Sequence, residues 1–274
     1  MKKNNLLFWI VIIIVILSAI GYVRLYFLYA EGIVTTPNLP AVAHVVLPVK
    51  VENKVFGYSV QNKPIEGYEI GNGQDVILLI GAIHGNEVGT AELLNQLVAE
   101  IKLNPKIIPN NKKIIIIPVT NPDGFTISQK FNANGVNLNL NFDTPGWKNY
   151  GPQGTYAGTK PFSEPESLTI KQVIEKYKPQ MMISFHSQGA IVNPEEDAQS
   201  DALGEWYAQK TGYTYSDSAD LGWDFFGTAT GWFAQNYNKP AITVEITSHT
   251  ESDWDINKPA LIELVSSNNL TATQ

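Results

Sequence analysis

Four short apolar runs constrain this 274-residue chain more than any other feature. Residues 76–80, 114–119, 181–185 and 241–245 are rich in Ile, Leu, Val and Met and stop abruptly at Gly, Pro or polar residues. Such runs are what strands look like when both faces of a sheet are covered. Between them the pattern becomes helical, from about 87 to 103 and near 198–211, 228–237 and 259–265. Another helix opens at Ser163-Glu164-Pro165-Glu166, with capping-box spacing, and runs to Tyr177. Strands alternating with helices predict an α/β fold: a single domain with a mostly parallel, twisted mixed sheet flanked by helices.

The polar residues at the ends of these runs carry the chemistry. His84, His186 and Glu245 each fall at or just past the C-terminal end of an apolar run, the edge where open α/β sheets bind ligands. Glu87 follows His84 by three residues, in the predicted first helical turn, and can face the same way. Two imidazoles and a carboxylate form the three-ligand shell of a catalytic zinc, and a further glutamate can serve as the base for its water. The chain has no cysteine, so any metal must be held by nitrogen and oxygen. Of four histidines, His84 and His186 are placed in this way; His44 falls in an apparent linker and His249 in a polar loop, where a surface position is expected.

The N-terminus reads differently. Residues 6–23 form an uninterrupted apolar run behind Lys2 and Lys3, about 27 Å long at ~1.5 Å per residue. Its length and the poor cleavage site at Leu28-Tyr29-Ala30 favour an uncleaved anchor (residues 1–30) over a signal peptide. The lysines then place the N-terminus in the cytoplasm and the remainder outside. Residues 31–50, punctuated by Pro37, Pro40 and Pro48, read as a linker, and 51–274 as the folded domain. Beyond residue 31 there are 16 lysines against 25 acidic residues, a balance that disfavours nucleic acid as a partner.

Several strings in order strengthen this reading: His84-Gly-Asn-Glu87, Asn121-Pro-Asp-Gly124, Ala133-Asn-Gly-Val136, Pro161-Phe-Ser-Glu-Pro-Glu166, His186-Ser187 and Gly231-Trp232 leading to Glu245. Over residues 55–267 the chain resembles the zinc carboxypeptidase family, and within it the short bacterial members that cut murein peptides between γ-D-glutamyl and a diamino acid. The resemblance implies that His84, Glu87 and His186 bind one Zn2+ and that Glu245 is the catalytic glutamate. It further implies a membrane-anchored, extracytoplasmic peptidase or amidase acting on cell-wall peptide.

Departures from the family pattern are equally specific. In the central loop the family has Gly-Val-Asp-Leu-Asn-Arg-Asn-Phe, where this chain has Asn137 for the Asp and Leu140 for the Arg. The resemblance makes Asn139 a substrate-binding residue that has lost its charged partner. It makes Asn137 an uncharged acceptor for a zinc histidine's N–H. A second family arginine, which polarises the scissile carbonyl, corresponds to Lys130, expected to be both catalytic and substrate-binding. Arg24 is the sole arginine, so no guanidinium from the outer domain can replace either. An ungapped count puts Trp223 at a mobile tyrosine of pancreatic-type members and Thr230 at their specificity-pocket floor, with packing roles as the alternative. Two other readings stand beside the enzyme: a wall-peptide-binding module with little activity, and a small-molecule N-deacylase.

Overall fold

A computed structural model describes residues 3–30, 49–216 and 226–268. The chain divides into two compact units, Met1–Val45 and Val46–Gln274. In the first, a single helix α1 (Lys3–Ala30) runs unbroken through Arg24. Its segment Trp9–Leu28, of mean hydropathy 2.4, is long and apolar enough to cross a membrane. His44 and almost all of the expected linker lie outside the described residues, as does Trp223.

The second unit is built on one eight-stranded sheet. Its strands are β1 (Val51–Tyr58), β2 (Pro64–Ile70), β3 (Asp75–Ile80), β4 (Lys112–Ile117), β5 (Met181–Ser187), β6 (Ile191–Pro194), β7 (Thr214–Tyr215) and β8 (Ala241–Ile246). Their spatial order is β1-β2-β4-β3-β5-β8-β6-β7. The four runs legible in the sequence are β3, β4, β5 and β8, which form the parallel centre. Helices α2 (Val88–Leu103), α5 (Ala198–Thr211) and α7 (Trp254–Ser266) contribute to one buried cluster, with Ile77, Leu79, Ile183 and Val244. Helices α4 (Pro165–Tyr177) and α6 (Ala229–Tyr237) contribute to the other, with Leu78, Ile80, Met182 and Ala241. Successive residues of each central strand thus enter opposite layers, which is why the runs are apolar throughout.

Four strands escape the sequence reading. β1 and β2 pair antiparallel with each other and β2 with β4; β6 pairs antiparallel with β8. They lie towards the sheet's two sides; Glu, Lys and Asn interrupt β1 and β2, and β6 and β7 are too short to read as strands. Local boundaries move for identifiable reasons. β4 begins at Lys112, whose buried ammonium pairs with Asp75 at 2.7 Å. The string Asn121–Gly124 opens a short helix, α3 (Pro122–Thr126), with Asn121 Oδ1 accepting from Gly124 N. The capping box at α4 does not form: Glu164 is the N-cap without a side-chain bond to the helix. Glu166 accepts instead from the Val60 N–H and from Asn132. α7 starts at Trp254, so Pro259, expected to open the helix, lies inside it.

Candidate metal centre

The sheet's strand order reverses between β3 and β5, because β3 leads through α2 to β4 on one side while β5 pairs on the other. The crevice beyond such a reversal is the natural ligand site of an open α/β sheet. β3 ends into Gly81-Ala82-Ile83-His84, where Ala82 adopts φ +40, unusual for a residue with a Cβ. Thr90 holds that turn by accepting the Ala82 N–H at 2.8 Å while donating to Glu87 O at 2.7 Å. A Cβ on Gly85 would collide with the Gly124 and Phe125 backbone of α3, so only glycine permits this approach. The turn delivers His84 and Glu87, the N-cap residue of α2, to one side.

His186 arrives from β5. His84, Glu87 and His186 are all buried, and one donor atom from each lies within 4.8 Å of the other two. Glu87 bridges the histidines: Oε1 is 2.7 Å from His84 Nδ1 and Oε2 is 3.3 Å from His186 Nδ1. Two ligands ~2.1 Å from one ion at a tetrahedral angle sit about 3.4 Å apart. The His186–Glu87 spacing matches this, while the shorter His84–Glu87 contact is a hydrogen bond that would open as an ion enters. Glu87 Oε2 is buried yet has no hydrogen bond of good geometry, leaving an acceptor for a cation. The outer ring nitrogens are engaged: His84 Nε2 meets Asn137 Oδ1 at 2.9 Å, and His186 Nε2 meets Ser184 Oγ at 3.0 Å. With Nε2–H donating outward, both Nδ1 lone pairs face inward, the arrangement that fixes metal-binding histidines.

Electrostatics follow from this packing. Burial pushes the Glu87 carboxyl up, but the two imidazoles outweigh it and hold the group well below the carboxylate range. His84 is lowered, chiefly by burial, with Glu87 opposing. His186 suffers the same burial but is raised overall by Glu87 and Glu245. Glu245 is raised by burial, despite the adjacent His186. It is the register partner of His186 on β8 and lines the same cavity of about 860 Å³.

Lys130, Asn137, Asn139 and Leu140 also line that cavity. Lys130 is exposed at its rim, its backbone carbonyl held by the Gly85 N–H. Asn137 Oδ1 accepts from the Asn139 N–H as well as facing His84. Asn139 Oδ1 accepts from Ala229 N at the start of α6. Leu140 is 4% exposed and packs with Ala157, Phe226 and Trp147 in a small apolar cluster. Thr230 is buried, its hydroxyl 3.3 Å from Thr243 Oγ1.

His249 departs from expectation. It is half-buried, and its Nδ1 lies 2.6 Å from Ser187 Oγ on the cavity wall. Nothing in its local sequence marks this, since the contact spans the β8–α7 loop. Glu195, also on the wall, follows β6, a strand too short and polar to be visible in the sequence.

A family model described as zinc carboxypeptidase matches residues 47–223. The chain belongs to the zinc carboxypeptidase family. It is a zinc metallopeptidase of that family, and the His84–Glu87–His186 cluster can hold the metal. Among its relatives is murein peptide amidase A of Escherichia coli K12, 29% identical over 182 residues, covering 61% of this chain and 69% of that protein. Gamma-D-glutamyl-L-diamino acid endopeptidase 1 of Lysinibacillus sphaericus is 25% identical over 250 residues, covering 71% and 60%. The solved murein-tripeptide amidase of Escherichia coli O157 has the same fold, with TM-score 0.63 and 22% identity over 86% of this chain and all of that one. Bovine thrombin-activatable fibrinolysis inhibitor gives TM-score 0.68 at 17% identity, covering 79% and 88%.

Proposed function

We propose that this chain hydrolyses an amide bond in cell-wall peptides, from the outer surface of the membrane to which α1 anchors it. Residues 1–30 act as the anchor, 31–50 as the tether and 51–274 as the peptidase domain. The observation that carries the reading is the joining of the buried His84–Glu87–His186 cluster to Glu245 through the β5–β8 register. The murein-peptide relatives supply the substrate class.

His84, Glu87 and His186 hold zinc, which when bound supplies Lewis acidity toward the scissile carbonyl and activates water. Glu245 is placed to take a proton from the attacking water and return it to the leaving amine, and burial raises its pKa, the direction that role needs. Lys130, at the rim, offers its ammonium to the developing oxyanion. Asn137 keeps the His84 Nδ1 lone pair turned inward. Asn139 positions the substrate backbone. Leu140 puts an apolar surface where a carboxylate clamp would need a guanidinium, which favours amidase or endopeptidase cutting over removal of a free C-terminal residue.

To test this, the zinc-loaded full chain in detergent is incubated with peptides containing a γ-D-glutamyl–diamino-acid bond, free or amidated, and products are followed by mass spectrometry. Cleavage at that bond is expected. Binding without cleavage of either form contradicts the reading and leaves a wall-binding module.

A further inference from the structure

From the metal centre the cavity continues along the β6–β8 edge to a carboxylate that the proposed chemistry leaves unused. Ile191 pairs with Glu245 and Asn193 with Thr243, and the Glu195 N–H donates to Ala241 O at 3.1 Å. Alternation therefore sends residues 191, 193 and 195 to the sheet face that carries Thr243 and Glu245. Glu195 is four strand positions from Glu245, about 13 Å along the backbone, and both line the one cavity.

The first turn of α6 closes over this end. The Thr230 hydroxyl bonds Glu195. A Cβ on Gly231 would sit 3.1 Å from Glu195 Oε2 and 2.6 Å from Thr228 Oγ1, so the missing side chain leaves room for the carboxylate.

The charges around Glu195 are unbalanced. It is partly buried, its charged neighbours are Glu196 and Asp197, and among the described residues no lysine lies within ion-pair distance. Asp197 is already committed as N-cap of α5, accepting from Gln199 and Ser200, and Glu196 points to solvent. Burial and the two acids push the Glu195 carboxyl up to about 7. A recessed carboxylate without a cation is costly, and a ligand that brings one relieves the cost. We propose that Glu195 is a specificity residue that pairs with an amino group on a flexible alkyl side chain of the substrate, as a diamino acid carries. Thr228 and Thr243 line the cavity beside it. The catalytic part of this statement rests on the function proposed above; the binding part does not.

The test separates the two. The zinc-loaded full chain is titrated calorimetrically with Nα-acetyl-lysine methylamide and with the isosteric Nα-acetyl-norleucine methylamide. Native protein is expected to bind the amine about tenfold tighter or more. Glu195→Gln should bring the two within about threefold, and Glu195→Asp should keep part of the preference. Equal affinities in the native protein, a comparison that needs no variant, overturn the proposal. So does a preference that survives Glu195→Gln. Amine preference without any cleavage of wall peptide supports this subsite and removes the proposed reaction; cleavage without amine preference does the reverse.

Discussion

His186 and Glu245 are register partners on adjacent parallel strands, so their side chains leave the sheet on the same face at its C-terminal edge. A slip of one residue would turn one of them into the opposite layer. The strand cores hold that register: Ile183, Phe185, Val244 and Ile246 are fully buried in the helix-covered layer beneath. Packing far from the cavity thus fixes the distance between a candidate metal ligand and the residue proposed as base.

Replacing that base isolates its chemistry. Glu245→Gln should lower kcat by about 10²–10⁴ while zinc content stays unchanged, because Glu245 is not one of the clustered donors. Steady-state kinetics with parallel metal analysis checks this. Activity within a fewfold of native would remove Glu245 from the mechanism.

Asn137 supports His84 without touching the ion position directly. Asn137→Ala should weaken zinc binding by roughly 10–100-fold, read by competition against a chelator. Asn137→Asp should hold zinc at least as tightly as the native chain, since a charged acceptor makes the imidazole more basic.

Lys130 sits at the exposed rim, so its removal should not disturb folding. Lys130→Ala is expected to reduce kcat by about 10² with a smaller change in KM, and Lys130→Arg to recover most of it. An increase in KM alone would assign Lys130 to substrate binding only.

Much of this was legible in the residues themselves. The four buried strands announce themselves as apolar runs, and three of them end at His84, His186 and Glu245. The flanking strands are not visible in that way. Ile191–Pro194 is too short and too polar to read as a strand, yet it forms the cavity wall and leads to Glu195. The Ser187–His249 contact joins residues 62 apart and depends on how the β8–α7 loop folds back. Leu140 was recognisable as a lost arginine, but its burial against Phe226 and Trp147 required the fold.

Glu195 should leave a signature in stability. Its carboxyl titrates near 7 in the folded chain against an ordinary value of 4.5, so the folded state holds the proton more tightly than the unfolded one. Stability is therefore full below about 4.5 and falls as the pH rises to 7. Glu195→Gln, which cannot ionise, should be more stable than native at pH 8 by on the order of 2 kcal/mol and indistinguishable at pH 4. Thermal unfolding at the two pH values measures the difference. A variant less stable than native at pH 8 would make Glu195 a structural support instead.

The most direct test of the account is the metal itself. Elemental analysis of the purified full chain should find one zinc per chain, and single His84→Ala, Glu87→Gln and His186→Ala variants should each lose it while retaining native-like far-UV circular dichroism. A native chain without stoichiometric metal, or variants that keep it, would show that these three residues do not form the catalytic centre.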